Sequence, residues 1–288
     1  MVTGKDRQKQ LAREHHLRQM QARAERQQRA RRNAVIGTSV GVLVVIAGVV
    51  GATTLIGGGD STTTAAASPA ASPAASANAE AAGQPKPYDP STGTCGYVAD
   101  KGSGQIKDVG LPPEKVSTAP ATMTIKTNLG DIVAQLETQK APCTVNSFKF
   151  LASKKYFDDT RCHRMGPSAF PILQCGDPLA KADGKNPTDG QGGPGYRFAN
   201  ENLAGAKYTR GVLAMANSGP DTNGSQFFIV FGDTGLSPDY TPFGTVTKGL
   251  EILDEVAKKG VIAAPGGDGT GAPKQPVIIK HVTITSKS

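Results

Sequence analysis

GVLAMANSGPDTNGSQFFIVFG, residues Gly211–Gly232, sets two apolar runs on either side of a polar, glycine-rich centre. The runs Gly211–Ala216 and Gln226–Phe231 hold β-branched and aromatic residues. The centre holds Asn217, Gly219, Pro220, Asp221, Asn223 and Gly224. Strand formers bounded by turn formers read as strand, loop, strand. Side chains alternate between faces along a strand. Phe227 and Phe228 therefore point opposite ways, one into a core and one into an outer groove, and Ile229 and Val230 read as core with Phe227.

Just upstream, CHRMGPSAFPILQCGDP (Cys162–Pro178) sets Arg164 across an expected hairpin from Gln174. Further out, the same short-strand grammar recurs. TMTIKT (Thr122–Thr127), a turn at Asn128–Gly130 and DIVAQLE (Asp131–Glu137) form an expected hairpin. Other strands are expected at Arg161–Met165, Phe170–Gln174, Phe243–Val246 and Val277–Thr285. Pro142 opens a helix, in which Val145, Phe148, Leu151 and Ala152 recur at helical spacing to near Lys155. A second helix is expected at Leu250–Lys259, with Gly260 past its end. Eight short strands and two helices predict a mainly β fold, a closed antiparallel eight-stranded barrel capped by the helices.

Outside this body, 122–288, the chain changes character. Of the net charge of +8, the tail 1–33 supplies +7, from ten Lys/Arg and three Asp/Glu, which leaves +1 for the rest. A nucleic-acid patch belongs on a folded domain, so no nucleic-acid partner is expected. A protein binding nucleic acid through the tail would show salt-dependent binding that 34–288 lacks. His15 and His16 are sequence neighbours and read as solvated, not as a metal site.

Ala34–Ile56 is 23 residues without a charge. As a helix it is about 35 Å long, enough to span the hydrocarbon core. An uncleaved single-pass anchor is expected. A cleaved signal peptide, with its shorter apolar core, and a buried soluble helix are the alternatives. The basic tail stays in the cytoplasm by the positive-inside rule, which puts the body outside the cell membrane. Residues 57–121 read as a disordered, low-complexity to extended linker, rich in Gly, Ser, Ala and Pro. Its last part, with Cys95 and Tyr97, has residues suited to docking on the body.

All four cysteines lie beyond Ile56. An even number in an oxidising compartment suggests disulfides. Three pairings are open. Cys162 with Cys175, which flank the hairpin, and Cys95 with Cys143 are favoured. Metal binding is the rival, but there is no C-x-x-C and only His163 is near. P-loop and HExxH motifs are absent, and Asn223-Gly224-Ser225 is a bare match to a glycosylation sequon.

These residues resemble the cyclophilin family of peptidyl-prolyl cis–trans isomerases. The HR dipeptide is His163-Arg164, and Q-x-GD is Gln174-Cys175-Gly176-Asp177. GGPGY-x-F-x-x-EN is Gly192–Asn202, MAN-x-GP-x-TNGSQFFI is Met215–Ile229 and FG-x-V is Phe243–Val246. The likeness covers roughly Thr122 to Ser288 and not the tail, apolar span or linker. It implies a barrel that binds proline-containing polypeptides, without cofactor or metal. A monomer is expected.

By position in the motifs, the resemblance implies Arg164, Gln174 and Asn217 as catalytic residues. Phe170, Ile172, Met215, Phe228, Leu236 and Tyr240 would form a cup for the proline ring, with Ala216 at its edge. Gln226 would hold substrate backbone, and His163 would be a hydrogen-bonding neighbour, not a general base. The chain departs from the family at three points. The Arg164–Gln174 segment is about two residues longer, and Pro171 stands before Ile172. No Trp is present, and Gly235 falls where one is common. Tyr240 stands where many members have His. The rival function is a tethered module that holds proline segments with little turnover.

Overall fold

The computed structural model describes residues 83–100, 105–166, 170–263 and 269–286. The tail 1–33, the span Ala34–Ile56 and the linker as far as 82 lie outside the described residues. Among the described residues no helix is long and apolar enough to cross a membrane.

The chain forms β1 (Val98–Ala99), β2 (Ala121–Thr127), β3 (Gly130–Leu136), α1 (Pro142–Ser153), β4 (Thr160–Arg161), β5 (Arg164–Met165) and β6 (Ile172–Cys175). It continues through β7 (Tyr196–Arg197), β8 (Val212–Met215), β9 (Phe227–Val230), β10 (Pro242–Lys248), α2 (Leu250–Lys259), β11 (Val261–Ala263), β12 (Gly271–Pro273) and β13 (Ile278–Ser286). Eleven strands form one sheet, in the order β11-β12-β5-β6-β9-β8-β10-β3-β2-β13-β4, and β1 pairs with β7 in a second.

This corrects the expected closed eight-stranded barrel. Among the described residues the order is linear, with β4 and β11 as its ends, so the sheet is a curled half-barrel. Closure needs a continuous ladder of hydrogen bonds. Here the ladder ends on strands of two and three residues. Long turn-rich stretches between β6 and β7 take the place of paired strand.

Two helices pack on this sheet. In α1, Pro142 occupies the first turn, and Val145, Phe148 and Leu151 are buried. Phe148 stacks on Phe157 at 5.4 Å and meets Phe227 edge-on at 5.5 Å. Burying each such ring contributes about 1.5–3 kcal/mol. The helix has no side-chain cap of its own. Instead the Glu201 carboxylate accepts the N–H groups of Cys143 and Thr144, at 3.0 and 2.8 Å. In α2, Leu253 and Val256 face the core.

Alternation sets the hairpin. Met123 and Ile125 of β2 lie opposite Ala134 and Ile132 of β3, and all four are buried.

The segment before β2 is folded onto this unit as well. Cys95 is bonded to Cys143 at the start of α1. Tyr97 is 8% exposed, and its hydroxyl donates to the Cys143 carbonyl at 2.8 Å. The arm 83–120 thus has a buried residue, a strand and a covalent staple, features that low-complexity composition does not show.

Candidate active site

One line of residues crosses four strands. Arg164 of β5 lies opposite Gln174 of β6, Gln174 opposite Phe228 of β9, and Phe228 opposite Ala214 of β8. Directly opposed residues share a face of the sheet. The next row on that face pairs Ile172 with Val230. The other face carries Met165, Leu173, Ile229 and Leu213 in register, and all are buried in the main core. One face is thus the interior of the half-barrel and the other carries the candidate site. The Cys162–Cys175 disulfide brackets it, two residues from Arg164 and next to Gln174.

The polar side chains of the row are held by a loop. Gln174 Nε2 donates to Gln226 Oε1 at 2.9 Å. Gln226 Nε2 in turn donates to the carbonyls of Gly190 and Gly192, at 2.8 and 2.9 Å. Asp177 grips the same loop from its other side, because Oδ2 accepts the N–H groups of Gly190 and Gly192 at 2.8 and 3.1 Å. A Cβ on Gly192 would lie 2.0 Å from Asp177 Oδ1, so only glycine fits there. The Gln174 and Gln226 amides are thereby oriented before any ligand arrives.

The apolar half is a separate cluster. Ile172, Tyr208, Ala214, Phe228 and Val230 are buried together, with Ala216, Leu236 and Tyr240 half-buried against them. Tyr240 meets Phe228 edge-on at 5.6 Å. Tyr208 fixes Tyr240: its hydroxyl donates to the Tyr240 carbonyl at 2.6 Å and accepts the Tyr240 N–H at 2.9 Å. Tyr208 lies in a loop without periodicity, and its Tyr neighbour at 240 was the only sequence signal.

The structure places several of the expected residues more closely. Met215 is not in the cup. It pairs with Phe227 and lies in the main core, because strand parity sends Ala214 and Ala216 to the groove face and Met215 inward. Val230 shares parity with Phe228 and moves from the core to the groove cluster. Phe170 lies beside Gly166, where a Cβ would be 2.9 Å from the Phe170 Cβ. The Asn217 side chain is engaged within the protein: Nδ2 donates to the Asp239 carbonyl at 2.8 Å and Oδ1 accepts the Gly219 N–H at 3.2 Å. His163 bonds to the row through its backbone, whose N–H donates to the Gln174 carbonyl at 3.1 Å, while neither buried ring nitrogen has a hydrogen-bond partner among the described residues. The sequon also fails: Asn223 is fully buried and its Nδ2 donates to the carbonyls of Phe198 and Ala199.

Two cavities, each of about 420 Å³, flank the row and share Gln174 and Gly190. Arg164 borders one of them with His163, Asn186 and Thr270, and its Nε donates to Thr270 Oγ1 at 3.0 Å. Ala216 and Gln226 border the other. Neither is lined by Phe228 or Leu236, and Phe228 is 2% exposed, so the floor of the cup is closed. Burial pulls the His163 imidazole below its ordinary pKa, against Asp177 and Asp189, which raise it. Among the described residues no cluster of His, Cys, Asp or Glu is placed to hold a metal.

This geometry has relatives. The family model for cyclophilin type peptidyl-prolyl cis-trans isomerases matches residues 122–284. A probable peptidyl-prolyl cis-trans isomerase B of Mycobacterium leprae is 44% identical over 220 residues, covering 68% of this chain and 70% of that protein. The protein of the same description from Mycobacterium tuberculosis is 43% identical over 220 residues, covering 69% and 66%. A crystal structure of a cyclophilin type isomerase from Cryptosporidium parvum aligns at a TM-score of 0.48 with 31% identity, over 59% of this chain and 99% of that one. With the family model spanning more than half of its length and the mycobacterial isomerases matching most of it, this chain belongs to the cyclophilin-type peptidyl-prolyl cis–trans isomerases.

Proposed function

We propose that the row Arg164–Gln174–Phe228 is the isomerase site of this chain and that its substrates are exported or surface polypeptides. Turning an X–Pro bond must break the C–N double-bond character, a barrier of about 18–20 kcal/mol. No bond is made or cleaved. The twisted amide differs from the planar one in that its nitrogen is pyramidal and carries a lone pair. A fixed cationic donor aimed at that nitrogen favours the twisted state over the flat one. Arg164 suits this role because its guanidinium is always charged and its donors are rigidly oriented. The proline ring would meet the half-buried rim of Ala216, Leu236 and Tyr240, which packs on the closed Ile172–Phe228–Val230 cluster. The amides of Gln174 and Gln226 would hold the flanking backbone. Asn217 acts by tying its loop to Asp239, as a positioning residue.

The single observation that carries this reading is the cross-strand register that puts Arg164, Gln174 and Phe228 side by side on one face. Its test is turnover of a proline peptide. Arg164→Ala should lose at least about a hundredfold in kcat/KM, about 2.7 kcal/mol at 1.36 kcal/mol per tenfold, with unfolding unchanged. Arg164→Lys should recover only part, since a point charge lacks the fork. Full activity in Arg164→Ala would remove Arg164 from the mechanism. Peptide binding without turnover in the unaltered chain would favour the holding module.

The setting of this chemistry is inferred from three features. Two disulfides and no free cysteine among the described residues suit an oxidising compartment. The uncharged run Ala34–Ile56 suits a membrane anchor, and the basic tail before it suits a cytoplasmic N-terminus. The body would then work outside the cytoplasmic membrane, as a monomer.

A further inference from the structure

The cavity on the Gln226 side of the row has walls of two origins. One wall belongs to the matched family region: Gln174, Ala216 and Gln226. Part of the facing wall comes from the arm that precedes it: Asp100 and Ile106 also line the cavity. The arm is held there by its backbone. Val98 and Ala99 pair with Arg197 and Tyr196. The Asp100 N–H donates to the Gly195 carbonyl at 2.9 Å. Around Gly193, its N–H donates to the Gln105 carbonyl at 3.1 Å and its carbonyl accepts the Lys107 N–H at 3.0 Å. Ile106 is therefore fixed opposite the same glycine-rich loop that Gln226 grips.

Among the described residues that line the cavity, the charges on this wall are matched. Asp100 Oδ2 lies 3.6 Å from Arg197 Nε, and both residues line the cavity. A carboxylate next to a guanidinium leaves little net field in the space they border. The remaining polar lining includes Gln174, Ser218 and Thr222, which offer neutral hydrogen-bonding groups.

We propose that the arm completes the substrate site: Ile106 limits the size, and Asp100 cancels the charge of Arg197, so that the cavity takes an uncharged polar side chain of a residue flanking the proline. This rests on the isomerase site proposed above, because the cavity shares Gln174 and Gln226 with it. The inference concerns selectivity and assigns the arm a direct part in recognition, in addition to its part in the fold.

The test uses the full chain and two peptide series, with Ala, Gln, Leu, Glu or Lys placed before or after the proline. In the unaltered chain, Gln should exceed both Glu and Lys in one series, and Glu and Lys should be within about twofold of each other. Asp100→Asn leaves the charge of Arg197 unopposed. The Glu-to-Lys ratio of kcat/KM should then rise about five- to tenfold at low salt and shrink at high salt. Asp100→Glu keeps the charge and should restore the original ratio. Ile106→Ala should raise Leu relative to Ala about threefold or more. Each readout is a ratio within one variant, so a general loss from altered folding cancels. Identical preference profiles in the unaltered chain, Asp100→Asn and Ile106→Ala, in both series, would overturn the proposal while leaving the isomerase site intact. Absence of turnover in the unaltered chain would instead count against the isomerase site.

Discussion

Both ring nitrogens of His163 are buried beside Arg164, and neither has a hydrogen-bond partner among the described residues. Protonating the ring would add a charge to a residue that is 6% exposed. Burial is the main influence and lowers its pKa. The Arg164 guanidinium lowers it further, and Asp177 and Asp189 pull the other way. In the unfolded chain the imidazole titrates near 6.5. Between the folded and unfolded values, the unfolded chain binds more protons, so stability rises with pH. The contribution is thus fully present above about 6.5 and is lost as pH falls below it. His163→Gln keeps a neutral donor and acceptor but cannot titrate. Urea unfolding of both proteins should therefore show the parent losing ground to the variant between pH 7.5 and 5, by up to about 1.36 kcal/mol per pH unit below 6.5. A difference that stays constant over this range would mean that His163 titrates as it does in water.

At the scale of elements, β5 and β6 are the pair that matters most. Each is short, and β5 has two residues. Such a ladder holds few hydrogen bonds, and the Cys162–Cys175 disulfide compensates by fixing Arg164 against Gln174. Its 13-residue separation corresponds to about 3 kcal/mol of loop-closure entropy. In the Cys162→Ser, Cys175→Ser double variant, urea unfolding should show a loss near that size. Below its melting temperature the variant should also lose kcat/KM on an Ala-Pro peptide severalfold, because the two side chains no longer keep a fixed spacing. Stability lost without any change in turnover would make the bond purely structural.

How much of this was legible in the sequence follows the length of each element. The β2–β3 hairpin and both helices repeat an apolar pattern long enough to fix period and face, and they lie within a residue or two of their expected places. The strands β1, β7, β11 and β12 have two or three residues, too few to show a period. Among the described residues β1 pairs with β7 and β11 with β12, so each depends on contacts distant in sequence. The face of the proposed site was legible where a motif singled out the residue, as at Arg164, Gln174 and Phe228, which lie in register. It was misread where only parity decided, as at Met215 and Val230. Tyr208 carries no local signal, since its role depends on Tyr240, 32 residues away.

At the scale of the whole chain, the family boundary at 122 and the structural boundary differ. The compact unit containing the site is Ala77–Ser288. Cutting at 122 removes Tyr97 from the core and leaves Cys143 without Cys95. The Cys95–Cys143 separation of 48 residues corresponds to about 4 kcal/mol. At about 2–4 °C per kcal/mol for a protein of this size, that loss alone should lower Tm by about 8–16 °C. A truncation series separates the parts. The full chain should sediment with membranes, and both truncated forms should stay in solution, if Ala34–Ile56 is the anchor. Residues 77–288 should melt where the full chain does, because nothing in the compact unit has been removed. Residues 122–288 should melt lower and lose the flanking-residue preference that the arm imposes. Equal melting of the two truncated forms would show that the arm rests on the body without supporting it, and a full chain that remains in solution would dismiss the anchor.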